Sequence, residues 1–153
     1  NRNFMGYTTH ADSDLLELGV SAISHIGDSF SQNPRDLPSW QAALDEGHLP
    51  VFRGMRMDAD DVLRADLIQA LMCSAEIPVR ALERRYAIDF PAYFADAMAK
   101  LQPLEQDGLV RVEPDCISVT SRGRLLLRNI AMCFDRYLTT PAEPSTPRFS
   151  RAI

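Results

Sequence analysis

The chain has 153 residues, 16 Lys and Arg against 21 Asp and Glu, a formal net charge of −5, and 46% apolar and 24% charged residues. That composition excludes a disordered or fibrous class, and the length allows at most one independent core, burying roughly two-thirds of the unfolded surface. No apolar run reaches the roughly 20 residues a bilayer span needs and no basic-then-apolar leader opens the chain, so a cytoplasmic protein without membrane contact is expected.

Residues 1–57 carry 4 basic and 7 acidic side chains, residues 58–138 carry 10 and 13, and the tail carries 2 and 1. No segment has the basic balance that phosphate-backbone binding requires, so no nucleic-acid partner is expected. Cys73, Cys116 and Cys133 stand 43 and 17 residues apart. That odd number at those spacings fits neither a disulfide framework nor a zinc ribbon, and the reading is three buried free thiols.

The first apolar segments, 3–9 and 15–23, read as extended. In "LLELGVSAIS" only Glu17 interrupts a short apolar run, and Gly19 weakens a helix, the pattern of a strand covered on both faces. Residues 24–35 read as loop. "DLPSWQAALDEG" reads as a short helix with Asp36 near its start, Pro38 in its first turn and Gly47 closing it.

From residue 58 helical periodicity takes over. Asp58, with Asp61 three residues on, can cap a helix to about residue 75 whose inner face is Ile68, Leu71, Met72 and Ala75. Pro78 breaks it, "VRALERRYA" forms a second helix, and after Pro91 a third presents Tyr93, Phe94, Ala97, Met98 and Leu101, ending at Pro103 and Gly108. Val110 and Val112 alternate with Ile117 and Val119 around a Glu113-Pro114-Asp115 turn, a small hairpin. Thr120 or Ser121 can cap a long last helix to about Leu138 with Leu126, Ile130, Cys133, Phe134 and Tyr137 inside.

Three helices, a hairpin and a closing helix follow the order of a winged-helix-like domain. The fold class expected is α+β and mainly helical. Residues 1–57 read as the end of a larger α/β domain, 58–138 as the winged-helix-like domain, and 139–153, rich in proline, as an extended tail.

Chemistry is sparse. His10, His25 and His48 have no ligand spacing and no nearby Cys, so no metal site is expected. The glycines match neither dinucleotide nor phosphate-loop templates. The carboxylates of "DADD" at 58–61 serve the helix cap and dipole rather than acid-base work. Arg122, Arg124 and Arg128 could touch phosphate or pair equally well with local carboxylates. A non-enzymatic winged-helix interaction or regulatory module is the competing reading of these residues.

"RNFMGYTTHADSDLLELGVSAIS", "IGDSFSQN", "LPVFRG", "DGLV" followed by "ISVTSRGRLLLRNIAMCFDRYL", and the closing "RFSRAI" resemble the carboxyl-terminal portion of the oxygen-independent coproporphyrinogen III oxidases, radical S-adenosylmethionine enzymes of heme biosynthesis. The resemblance runs from the first residue to the last and leaves only 139–147 idiosyncratic. It implies an α/β barrel-like catalytic domain ending at about residue 57, and an activity in which two propionates of coproporphyrinogen III are oxidatively decarboxylated to give protoporphyrinogen IX.

The cofactors so implied are a 4Fe-4S cluster, whose CxxxCxxC ligands are absent from this chain, and two molecules of S-adenosylmethionine. The fragment is expected to be inactive alone and to lack catalytic residues. Carried over by motif, Phe4 and Met5 of "NFMGY" and Ile23 of "GVSAIS" would line the second S-adenosylmethionine site. The family usually has Gln where this chain has Met5, so a polar contact is exchanged for a weak thioether acceptor. Coproporphyrinogen III and an electron donor and acceptor are the implied partners. Arg53, Arg56, Arg122, Arg124 and Arg128 are candidates for the substrate's carboxylates. The complete enzyme is expected to be a monomer, and the fragment to self-associate through an exposed apolar edge.

Overall fold

The computed structural model describes residues 13–138 together with the backbone of 2–3 and 6–7. The fold mixes helices with small antiparallel sheets. Strands β1 (Arg2–Asn3) and β2 (Gly6–Tyr7) pair with each other. Phe4 and Met5 and the tail at 139–153 lie outside the described residues.

Residues 15–23 are not the doubly covered strand expected of an apolar run. Leu15 makes one bridge to His25, and the chain then reverses at Gly19 (φ +106°) and Ser21 (φ +57°). The reversal needs φ values that a β-branched or bulky residue resists, and glycine supplies the first. The expected loop at 24–35 instead contains β3 (Ile23–Ile26) and β4 (Ser29–Gln32), an antiparallel hairpin turning on Gly27 and Asp28, with Gly27 at φ +57°. Its signal was the Gly-Asp pair between "HI" and "SF". After helix α1 (Leu37–Asp45), capped by Asp36 and with Pro38 in the first turn as expected, β5 (Arg53–Arg56) joins the far side of β4.

The core sits in the second half. Helix α2 (Ala59–Ser74) starts from Asp58 in a reciprocal capping box with Asp61 and buries Leu63, Leu67 and Leu71. Met72 and Ile68 pack only at the edge of that core, so the inner face is rotated from the one expected. β6 (Glu76–Ile77) interposes before α3 (Val79–Tyr86). The expected third helix is two, α4 (Phe90–Tyr93) and α5 (Ala95–Gln106), because the backbone leaves helical geometry at Phe94 (φ −104°, ψ 29°). There the Phe94 ring lies 4.8 Å from that of Phe90 and 5.7 Å from that of Phe134. Pro103 does not end α5; it lies within the last turns, and the turn closes on Gly108 at φ +68°.

The hairpin of β7 (Val110–Val112) and β8 (Ile117–Val119) forms as expected, with β6 added to give the order β6-β8-β7. The single long closing helix does not form. A 3-10 turn at Gly123–Leu126, helix α6 (Leu127–Met132) and a 3-10 turn at Arg136–Leu138 replace it. The break after Met132 has a cause in the hydrogen bonds. Arg64 Nη1 donates to the Phe134 carbonyl at 2.7 Å, and the Tyr137 N–H donates to Asp135 Oδ1 at 2.8 Å. Both groups are thereby withdrawn from a helical ladder. Ile130 and Phe134 are buried as expected, whereas Leu126 and Tyr137 face outward.

Candidate functional site

Of the three residues assigned to cofactor contact, the structure describes Ile23, half-buried at the start of β3 opposite Gln32. Its N–H donates to Glu17 Oε2 at 3.3 Å, and Ser24 Oγ, which is buried, accepts from the Glu17 N–H at 3.1 Å. Glu17 therefore turns inward. Its apolar neighbours turn outward, with Leu16 68% and Leu18 88% exposed. This is the reverse of a soluble edge, where the carboxylate meets water and the leucines meet a core.

Three buried polar atoms near this sheet and on α1 have no hydrogen-bond partner among the described residues: Glu17 Oε1, His25 Nε2 and Trp40 Nε1. His25 stacks on Phe30 across the β3–β4 pair, ring centroids 4.2 Å apart. Buried polar groups are ordinarily satisfied. Ile23 and His25 are alternate positions of β3, Glu17 lies in the segment beside it, and Phe52, Met55 and Ile26 are exposed. Among the described residues no group of three His, Cys, Asp or Glu side chains could hold a metal ion.

The cysteines depart from expectation. Cys73 is exposed, and Cys116 and Cys133 are only half-buried. Burial pushes the Cys133 and Cys116 thiols above their ordinary value, so neither is an activated nucleophile. Cys133 lines a cavity of about 330 Å³ with Arg64, Tyr93, Lys100 and Arg136. An apolar groove of about 350 Å³ lies between Val79, Phe90, Met98 and the hairpin.

The acidic start of α2 does the structural work expected of it and one thing more. Arg136 donates to Asp58 Oδ2 at 2.8 Å and to Asp60 Oδ2 at 2.9 Å, and reaches Asp61 at 3.3 Å. The Tyr137 hydroxyl donates to Asp61 Oδ1 at 2.8 Å, and Arg64 and Tyr93 both bond Asp60. The Arg136 guanidinium beside Asp58 holds that carboxyl below its ordinary value. For Asp60 burial works the other way and is outweighed by Arg64, Tyr93 and Arg136. Sequence reasoning missed Arg136 because nothing in "CFDRYL" marks a partner 78 residues away.

The candidate arginines divide. Arg53 Nε donates to Gln32 Oε1 at 2.8 Å and Arg56 pairs with Asp28 at 2.7 Å, both across β4 and β5. Arg122, Arg124 and Arg128 are exposed and form no ion pair among the described residues, so the local pairing that sequence allowed them is not what they do.

Comparison with known proteins follows this division. Residues 57–126 match the family model of the HemN C-terminal domain. The whole chain is 45% identical over 153 residues to the oxygen-independent coproporphyrinogen III oxidase of Salmonella typhimurium, covering 33% of that protein. It is 47% identical over 152 residues to the protein of that name from Pseudomonas aeruginosa, covering 99% of this chain and 32% of the relative. In structure it is similar to coproporphyrinogen III oxidase (HemN) from Escherichia coli, described as a radical SAM enzyme, with a TM-score of 0.86 and 46% identity over 89% of this chain and 31% of that one. The chain thus spans about one third of the length of the relatives it matches.

Proposed function

We propose, from its likeness to the oxygen-independent coproporphyrinogen III oxidases, that the chain is the rear wall and lid of an enzyme that oxidatively decarboxylates two propionates of coproporphyrinogen III. The observation that carries the reading is the inverted edge at residues 15–18. Leucines there are exposed while a carboxylate is turned in, which makes sense only when a further layer of protein covers them. Residues 1–57 close the catalytic domain, residues 58–138 form the lid, and 139–153 are a tail.

The order of helix, strand, three helices and hairpin, with β6 added to the hairpin through β8, supports a winged-helix reading of the lid. Such domains also read nucleic acid. In this one the helix before the hairpin, α5, carries a single Lys and no Arg, which favours a covering role.

A radical S-adenosylmethionine enzyme uses a 4Fe-4S cluster and S-adenosylmethionine, and when bound they supply the one-electron chemistry. The described residues offer no ligand set for the cluster, so other parts of the complete enzyme hold it. For S-adenosylmethionine the fit is better. Ile23 gives apolar contact, the unpartnered Glu17 oxygen can face a cationic group, and His25 Nε2 is free to bond. Phe4 and Met5 complete that wall in this reading. The role of this chain's residues is to position and to exclude water, and none of them moves a proton in the reaction.

The full-length enzyme, expressed anaerobically with iron and sulfide, tests the proposal. Conversion of coproporphyrinogen III to protoporphyrinogen IX with loss of two CO2 is expected, in soluble cytoplasmic extract and with an added electron donor. A full-length protein that binds its cluster and cleaves S-adenosylmethionine yet leaves coproporphyrinogen III unchanged would refute it.

A further inference from the structure

From residue 116 to residue 134 the chain has no Asp or Glu, although its net charge is −5. Three arginines fall in that stretch, and the fold puts them on one side. Gly123, Ile130, Ala131 and Phe134 are buried, so the 3-10 turn and α6 turn Arg122, Arg124, Leu125, Arg128, Asn129 and Met132 outward. Leu125 is 91% exposed and Met132 50%. Elsewhere Arg56, Arg64, Arg80, Arg85 and Arg136 each hold a carboxylate, and among the described residues these three do not.

The face is held in place. Thr120 Oγ1 donates to the Gly108 carbonyl at 2.8 Å and accepts from the Gly123 N–H at 3.2 Å, which fixes the first turn against the hairpin. Arg124 lies in the 3-10 turn and Arg128 in α6, and both are exposed on a segment whose Gly123, Ile130 and Ala131 are buried. An apolar centre with cations on its rim matches one kind of molecule, an apolar ring carrying several carboxylates.

We propose that the outer face of residues 122–132 is one wall of the substrate site in the complete enzyme, with Arg124 and Arg128 binding propionate carboxylates of coproporphyrinogen and Leu125 packing on the tetrapyrrole. This deepens, and rests on, the function proposed above. Coproporphyrinogen is an apolar tetrapyrrole with four carboxylates, and the charge complementarity is with this face rather than with β5, where Arg53 and Arg56 are already engaged. Arg122 lies at the edge of the same face and steers the remaining carboxylates.

The test uses the full-length, cluster-loaded enzyme with Arg124→Ala, Arg128→Ala, the double variant, and the double Arg→Lys variant. Initial rates against coproporphyrinogen III are measured beside fluorescence titrations with oxidised coproporphyrin III and with mesoporphyrin, which has two carboxylates. The expected result is a KM raised about 10-fold by each Ala and on the order of 100-fold by both, with kcat within about 2-fold. Coproporphyrin affinity falls in parallel, mesoporphyrin affinity falls less, and Lys recovers part of the loss.

Arg124→Gln and Arg128→Gln, which keep most of the bulk, repeat the test should the Ala double variant lose its fold. An active wild type whose variants keep both KM and coproporphyrin affinity overturns the inference. A change confined to melting temperature, meaning that the face packs on protein, or to retention on DNA, overturns it as well. A wild type that does not decarboxylate coproporphyrinogen overturns the function itself, and the inference falls with it.

Discussion

Replacing Gly123 by Ala places a methyl group where backbone already stands. A Cβ built there lies 2.0 Å from the Leu109 carbonyl oxygen, 2.9 Å from its carbon and 2.8 Å from Val119 Cγ1. Non-bonded carbon needs roughly 3.5 Å, so the carbonyl or the turn must retreat by more than about 1 Å. The carbonyl is not free to go, because the Thr120 N–H donates to it at 3.0 Å. Overpacking costs about 1–3 kcal/mol and a lost hydrogen bond about 1 kcal/mol, while alanine's helical preference returns up to about 1 kcal/mol. The net loss is about 2 kcal/mol. For a cooperative unit of this size that is a fall in Tm of roughly 8–16 °C. Thermal melting followed by circular dichroism, with a urea titration to check that the slope is unchanged, measures it. A fall in Tm under about 2 °C would show that the hairpin and the turn are not locked together as described.

Arg136→Met should lower the Tm, because it takes from Asp58, Asp60 and Asp61 the counter-charge they share. Asp58 and Asp60 titrate below their ordinary value of 3.8 in the folded chain. The stability they contribute is therefore complete above that value and lost as pH falls below it, and the Met variant should show a shallower acid limb in pH-dependent melting. Phe134→Ala, at a ring with no solvent exposure, should cost about 3–5 kcal/mol in urea unfolding. The Tyr86 phenol, pushed up to about 12 by burial and by its hydrogen bond to Asp66, should be the last tyrosine to ionise in an ultraviolet titration, and Asp66→Asn should bring it down. Leu16→Ser with Leu18→Ser should lessen self-association of the 153-residue chain in sedimentation, yet lower the Tm of the full-length enzyme.

Local signals carried the second half of the chain well. Asp58 with Asp61, the Pro91 region, and the alternating valines around Glu113-Pro114-Asp115 each set an element whose existence depends on neighbours a few residues away, and those elements form. The last helix was misjudged because periodicity does not report that Gly123 must sit against a carbonyl or that Arg64 will take the carbonyl of Phe134. In the first half the same reasoning failed for a different reason. An apolar run such as "LLELGV" implies burial, but nothing among the described residues covers it, and what forms is a turn with its leucines outside. Ile23 entered the candidate site through resemblance alone. The inward carboxylate of Glu17 and the unpaired arginines of the last helix became visible only when distances could be read.

The ion-pair knot at the head of α2 has a topological meaning for residues 58–136. Asp58, just before α2, and Arg136, in the last 3-10 turn, are bonded to each other at 2.8 Å. The chain between them, 78 positions from end to end, is thereby closed into a loop. The cross-link acts as a non-covalent counterpart of a disulfide, joining two ends that an unfolding chain must separate.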